Sequence, residues 1–240
     1  MDITKYTKIA RKALKLRPCG AVIVAAGSAS RMGGIDKILA PLGGEPVIRR
    51  SVRTFQECDA VQEIVIVTAS EKLEEVARLC GGFPKVRAVI AGGKTRPESV
   101  MLGLNALSEK AQLAAVHDGA RPLVTWQVID RAIRAANSYG AAAPAVPVKD
   151  TIKVVKGGIV DHTPDRSTLM AVQTPQVFDT DLLKGALRKA LLEEAPITDD
   201  CSAVERLGMS VKIVEGDERN IKITTPMDLS IGQLLLEEMK

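Results

Sequence analysis

Aromatic residues and metal-ligand patterns are scarce in this 240-residue sequence, which has one Trp, two Tyr, three Phe and two His. With so few aromatic rings, recognition of nucleic acid by a row of stacking side chains is not expected. The four cysteines, Cys19, Cys58, Cys80 and Cys201, are widely spaced and form no Cys-x-x-Cys pair. This spacing argues against a zinc cluster and favours reduced thiols in a cytoplasmic protein.

Long apolar runs and a strong overall charge are also missing. No run approaches the ~20 apolar residues that span a membrane, so no membrane partner is expected. The formal net charge is +4, but residues 1–17 hold six Lys or Arg and a single acid. The remainder is close to neutral, which does not favour a nucleic-acid partner. We interpret residues 1–18 as a basic N-terminal extension, with a transit-like segment as the alternative, and residues 19–240 as one domain.

Short β-type runs alternate with helical patterns along that domain. Apolar residues at three- and four-residue spacing predict helices at 45–57, 71–80, 97–109, 126–138, 180–193 and 200–207. Strands are predicted at 21–25, 63–68, 86–90, 113–117, 141–146, 151–155 and 211–214. This alternation predicts a largely parallel sheet covered on both faces, with a binding site at the carboxyl ends of the strands.

One segment, residues 147–178, interrupts the alternation. Its helical spacing stops, and two extended stretches flank Lys156, Gly157 and Gly158. Such a pattern is typical of a β-hairpin. We therefore expect an arm that leaves the sheet, and a dimerisation arm is one possibility.

The loop after the first strand carries the clearest chemical signal. Residues 21–25 are apolar, and residues 26–33 are mostly small and end in Gly33. This loop carries one cation, Arg31, and a second, Lys37, follows four residues after it. Small residues let backbone N–H groups approach a polyphosphate, while fixed cations stabilise developing charge. The pattern is neither a Walker A loop nor a dinucleotide fingerprint. It indicates a nucleotide that reacts rather than a redox cofactor.

Other strand ends add candidates, each of which also has an ordinary structural interpretation. Asp118 follows residues 113–117 and suits a Mg²⁺ ligand, although a turn-forming Asp is equally compatible. Gly92 and Gly93 follow residues 86–90 and offer backbone contacts, although an ordinary turn would look the same. Later charged clusters could hold a phosphate or face solvent; they lie at 150–151, 165–166, 198–200 and 220–224.

Taken in order, these segments resemble the 2-C-methyl-D-erythritol 4-phosphate cytidylyltransferases of the non-mevalonate isoprenoid route. The matching motifs span about Cys19 to the C-terminus and lie at 25–33 with Lys37, 117–121, 148–151, 165–166, 173–176, 197–200 and 220–222. The resemblance implies an α/β, Rossmann-like nucleotidyltransferase fold with a mostly parallel sheet, helices on both faces and a protruding β-arm. It further implies CTP and a polyol phosphate as substrates, and a homodimer formed through the arm.

The resemblance also implies a role for each matched residue. Arg31 and Lys37 would stabilise the triphosphate and the charge that develops at its α-phosphorus. Arg166 and Lys222 would hold the acceptor phosphate for attack, and Thr151 and Thr198 would contact the same acceptor. The nucleotide would be bound by Ala25, Ala26, Gly27, Gly92, Ser99, Asp118 and Ala120. Asp118 would also be the ligand of Mg²⁺.

Three positions depart from the family pattern. Ile38 stands where Gln is common, Ser28-Ala29-Ser30 replaces a second glycine, and Lys94 occupies a frequently acidic position. None of these changes removes a predicted catalytic cation, so we expect altered loop packing rather than lost activity.

Two alternatives have the same fold. One is a cytidylyltransferase that acts on ribitol 5-phosphate. The segment at 163–166 favours methylerythritol phosphate over ribitol 5-phosphate as the acceptor. The other is a non-catalytic nucleotide sensor, against which the presence of Lys37 and Asp118 argues.

Overall fold

An eight-stranded mixed sheet lies at the centre of the computed structural model, which describes residues 15–27 and 36–239. Its strands are β1 (Cys19–Ala25), β4 (Val61–Thr68), β5 (Val86–Ala91), β6 (Leu113–Asp118), β7 (Ala141–Pro147), β10 (Met170–Val172), β11 (Gln176–Asp179) and β12 (Lys212–Glu215). The order is β10-β7-β11-β6-β1-β4-β5, and β12 pairs with β7. Strands β6, β1, β4 and β5 are parallel, whereas β11 runs antiparallel between β6 and β7.

Seven helices accompany the sheet in the described residues. They are α1 (Val47–Glu57), α2 (Leu73–Cys80), α3 (Arg96–Ala106), α4 (Trp126–Tyr139), α5 (Thr180–Leu192), α6 (Asp200–Glu205) and α7 (Pro226–Glu238). Two short strands, β2 (Pro41–Leu42) and β3 (Glu45–Pro46), pair before α1. The predicted α/β class with a mostly parallel sheet and helices is confirmed. Within these residues, no helix combines the length and the apolar character that crossing a bilayer requires.

The core consists of two layers because alternate residues of each buried strand point to opposite faces. In β1, Ala21 and Ile23 pack with α1, α2 and α4, whereas Val22 packs on the other face with α3, α5 and α6. Both faces of a central parallel strand are thus covered, which explains its continuous apolar sequence.

The backbone of helix α3 lies directly against side chains of the sheet. A Cβ added at Gly103 would lie 2.4 Å from Cγ1 of Val22 and 2.9 Å from Cγ2 of Val67. The N-terminus of α3 is fixed by a capping box between Thr95 and Glu98. Position and orientation of α3 are therefore both defined by local sequence.

Helix α7 was missed by the sequence prediction. Its apolar residues lie on two sides: Leu236 is buried with Leu42 and Ile223, whereas Met227 and Leu234 are exposed. No single apolar stripe results, so the helical period is blurred. The signal that marks α7 is its capping box, in which Thr225 and Asp228 exchange hydrogen bonds around a proline in the first turn.

The predicted arm is present but shorter than predicted. Strands β8 (Val154–Lys156) and β9 (Ile159–His162) form an antiparallel hairpin that is separate from the main sheet. The range 147–178 was too long because Pro147 belongs to β7 and the chain rejoins the sheet at β10 and β11. With three and four residues, these two strands are too short to show a periodic pattern.

The predicted N-terminal extension lies mostly outside the described residues. Its last residues are attached to the domain: Arg17 forms an ion pair of 2.8 Å with Asp179 and donates from its backbone N–H to the Asn137 side chain. The contact with the domain therefore begins before residue 19.

Candidate active site

The carboxyl ends of β6, β1, β4 and β5 meet at one edge of the sheet, where a cavity of about 320 Å³ lies. Ala26 and Gly27, which directly follow β1, form one wall, and the start of α3 forms another. The predicted site residues that line this cavity are Ala25, Ala26, Gly27, Lys37, Ser99, Asp118, Ala120 and Lys222. Arg31 lies outside the described residues. The topology thus brings together groups that are almost 200 residues apart in the sequence.

A glycine is required at position 92, directly behind the cavity wall that contains Ala26 and Ser99. A Cβ on Gly92 would lie 2.5 Å from Cβ of Ala26 and 2.8 Å from Oγ of Ser99. Gly92 therefore supports the wall, and its neighbour Gly93 is the residue that lines the cavity. Lys37 also lines the cavity and lies beside Gly27, since a Cβ on Gly27 would be 3.7 Å from Nζ of Lys37.

Asp118 is the charged centre of the site. Nζ of Lys222 lies 2.8 Å from its Oδ2, Arg96 lies 3.5 Å from its Oδ1, and Nε of Arg121 lies 3.7 Å from its Oδ2. Burial alone would raise the pKa of Asp118, but these cations outweigh it and lower the pKa to about 2. The carboxylate is therefore ionised at physiological pH.

Lys222 reaches this centre from the loop between β12 and α7. The loop is tied to the neighbouring strand end because the Ile223 N–H donates to the Ala120 carbonyl at 2.8 Å. Its other end is held by Asn220, which is buried and donates from Nδ2 to the Thr174 carbonyl at 2.9 Å. A flexible lysine is thus presented from a fixed backbone.

The sequence profile of the 2-C-methyl-D-erythritol 4-phosphate cytidylyltransferase family matches residues 19–238. The chain belongs to this family. A relative of that name from Symbiobacterium thermophilum is 48% identical over 223 residues, covering 92% of this chain and 94% of its own. The relative from Caldanaerobacter subterraneus is 45% identical over 223 residues, covering 91% and 98%.

Solved structures agree with the sequence match. The 4-diphosphocytidyl-2C-methyl-D-erythritol synthase of Anaerococcus prevotii superposes with a TM-score of 0.84 at 30% identity, covering 93% of this chain and 100% of that one. The 2-C-methyl-D-erythritol 4-phosphate cytidylyltransferase of Thermus thermophilus superposes with a TM-score of 0.74 at 30% identity, covering 92% of this chain and 99% of that one. The predicted family, nucleotidyltransferase class and fold are confirmed.

The predicted acceptor residues do not all meet in one chain. Lys222 lines the cavity, whereas Thr151, Arg166 and Thr198 are exposed and are absent from the described lining. Arg166 lies at the base of the arm, where it donates to the Lys149 carbonyl at 2.8 Å. Within a single chain, Arg166 therefore does not line the Asp118 cavity.

Arg96 is a site residue that sequence reasoning missed. It lines the cavity and joins two acids: it lies 2.8 Å from the buried Asp200 and 3.5 Å from Asp118. Although burial would lower the pKa of Arg96, these carboxylates raise it, so the guanidinium stays charged. A local signal existed in the capping box, which fixes residue 96 at the start of α3, but its partner Asp200 comes from α6.

His117 is buried at the end of β6, and burial lowers its pKa from 6.5 to about 4. The unfolded chain therefore binds a proton at higher pH than the folded chain does. Stability conferred by the neutral ring is present above pH 6.5 and is lost as pH falls toward 4. Between pH 7.5 and 5, we expect the free energy of unfolding to fall by about 2 kcal/mol from this group.

Urea denaturation of the wild type and of His117→Gln at both pH values measures this contribution. Between pH 7.5 and 5, the free energy of unfolding of the variant should fall by about 2 kcal/mol less than that of the wild type. Equal losses in both proteins would contradict a low pKa for His117.

Proposed function

We propose that the enzyme transfers the cytidylyl group of CTP to the phosphate of 2-C-methyl-D-erythritol 4-phosphate. A phosphate oxygen of the acceptor forms a bond to the α-phosphorus of CTP, the bond to the β-phosphate breaks, and pyrophosphate leaves. The products are pyrophosphate and 4-diphosphocytidyl-2-C-methyl-D-erythritol. The observation that carries this proposal is the convergence of Lys37, Asp118 and Lys222 on one cavity whose walls are built from small residues.

No general base is needed, because a phosphate oxygen is already an anionic nucleophile. His117, the buried histidine next to Asp118, is unsuited to that work since both of its ring nitrogens have hydrogen-bond partners. The protein must instead hold two polyanions together and stabilise the crowded phosphorus centre. In this proposal Arg31 and Lys37 act on the triphosphate, and Lys222 with Arg166 holds the acceptor.

Mg²⁺ is part of the proposal. In the part of the chain that the structure describes, no group of three or more His, Cys, Asp or Glu could hold a metal by itself. A single ionised carboxylate still fits Mg²⁺, which usually binds one or two carboxylates together with substrate phosphates and water. Asp118 would be that ligand, and the bound ion would neutralise phosphate charge.

A homodimer formed through the arm is also proposed. The hairpin exposes large apolar side chains, with Ile159 76% and Val160 54% accessible. Burial of this apolar surface against a second copy would remove it from water. The same contact would carry Thr151 and Arg166 toward the partner's acceptor site. A cytoplasmic location agrees with the four cysteines, all of which are free and buried.

Ile159→Asp tests the dimer. Because a two-fold interface buries each position twice, we expect the dissociation constant of the dimer to rise by about 100-fold or more. Sedimentation equilibrium measures it, with Leu234→Asp as the matched control, since Leu234 is 64% exposed on α7. An unchanged dissociation constant in Ile159→Asp would contradict an arm-mediated dimer.

Acceptor choice is tested by pyrophosphate release with CTP and Mg²⁺. We expect kcat/KM for 2-C-methyl-D-erythritol 4-phosphate to exceed that for ribitol 5-phosphate by at least about tenfold. Equal rates with both acceptors, or a preference for ATP or GTP, would overturn the proposed specificity. Binding of CTP without turnover on either acceptor would instead support a nucleotide sensor.

A further inference from the structure

One ring nitrogen of His117 contacts the turn that carries Asp118, and the other reaches that turn through Thr174. Nε2 lies 3.2 Å from the Arg121 carbonyl, and Nδ1 lies 3.0 Å from Oγ1 of Thr174. The same hydroxyl oxygen accepts the Asp118 backbone N–H at 3.1 Å. The ring therefore contacts the last carbonyl of the turn, that of Arg121, directly. It reaches the first N–H of the turn, that of Asp118, through Thr174.

The chemistry of these partners assigns the tautomer. A carbonyl can only accept, so Nε2 carries the hydrogen and Nδ1 accepts. Thr174 then donates its hydroxyl hydrogen to Nδ1, which leaves its oxygen to accept from Asp118. A neutral imidazole with one donor and one acceptor satisfies both contacts at once. Among apolar and hydroxyl side chains of similar size, none offers a donor and an acceptor at these two positions.

The rest of the turn is held by other elements. The Gly119 N–H donates to Val24 of β1 at 2.8 Å, and the Gly119 carbonyl accepts from Ser51 of α1 at 2.9 Å. The Ala120 carbonyl accepts from Ile223, next to Lys222. Displacement of the turn would therefore disturb the positions of both Asp118 and Lys222.

We propose that His117 is a positioning residue that sets the geometry between Asp118 and Lys222 through its hydrogen bond to the Arg121 carbonyl and its hydrogen bond to Thr174, which in turn holds the Asp118 N–H. This proposal rests on the proposed cytidylyl transfer and adds a residue that touches neither substrate. The ring also packs 4.9 Å from the Phe55 ring, centroid to centroid, which holds the imidazole in place. Asp118 acts on the substrates, and His117 acts through Asp118.

The test uses His117→Phe, which keeps a ring beside Phe55 and removes both hydrogen bonds. We expect kcat to fall by about 10- to 100-fold, the scale of a displacement of about 1 Å in a catalytic group, with KM for CTP changed less than about threefold. His117→Gln should recover kcat to within about tenfold of the wild type, because its amide restores a donor toward Arg121. Pyrophosphate release at saturating substrates measures each value.

A double-mutant cycle separates positioning from loss of stability. If His117 acts through Asp118, His117→Phe should lower kcat by less than about threefold in the Asp118→Asn background, because residues that act as a unit are not additive. Leu113→Val, at the other end of the same strand, is the matched core control and should keep wild-type kcat. Should His117→Phe fail to fold, Thr174→Val breaks the same connection and should lower kcat similarly.

Wild-type kcat in His117→Phe, or an undiminished loss in the Asp118→Asn background, would overturn the positioning role. Absence of cytidylyl transfer by the wild type would contradict the proposed function instead.

Discussion

Replacing Lys37 with Ala is expected to lower turnover by about 100-fold or more, the scale of losing one oxyanion-type donor. Lys37 lines the cavity beside Gly27, where a fixed cation can meet charge that grows at the α-phosphorus. Because that charge is largest in the transition state, the loss should appear in kcat more than in KM. Steady-state pyrophosphate release over a range of CTP concentrations separates the two.

Lys94→Ala is the matched control for Lys37. It removes a second lysine from the lining of the same cavity, but one whose side chain is exposed. We expect its kcat to stay within about threefold of the wild type, since exposed charges are screened by solvent. Similar losses in both variants would show that Lys37 contributes only to the general positive potential.

Asp118→Asn is expected to lower kcat by about 100-fold or more and to shift magnesium activation to higher concentration. The change keeps the size of the side chain but removes the one carboxylate that faces Lys222, Arg96 and Arg121. Repulsion among these cations is then less well offset, although Asp200 still pairs with Arg96, and the proposed metal loses its protein ligand. Pyrophosphate release as a function of Mg²⁺ concentration measures both effects.

Asp130→Asn serves as its control, because Asp130 forms a surface ion pair with Arg134 on α4. That variant should match the wild type in kcat and in magnesium dependence, as surface pairs contribute little. A magnesium midpoint that does not move in Asp118→Asn would remove Asp118 as the ligand, whatever the loss in kcat.

The donor side of the site was the part that local sequence could predict. Strand periodicity located the ends of β1 and β6, and parallel strands bring their carboxyl ends to one edge. Ala25, Gly27 and Asp118 were therefore expected together before any fold was known. The fold class followed from the same alternation of strands and helices.

Other features depend on contacts that local patterns do not encode. Lys222 lies in a loop without periodicity, and its ion pair of 2.8 Å with Asp118 was not predicted. Arg96 was missed because its partner Asp200 comes from α6, more than 100 residues away in the sequence. The extent of the arm was overestimated because β10 and β11 are stabilised by pairing with β7 rather than by their own sequence pattern.

The close packing of α3 on the sheet affects the shape of the cavity. Gly103 touches Val22 and Val67 without a side chain between them, and the same helix carries Arg96 and Ser99 into the cavity wall. Any side chain at residue 103 must push α3 outward or displace a core valine. The width of the cavity thus depends on a residue that does not line it, and a side chain at position 103 would alter the cavity while every predicted catalytic residue stayed the same.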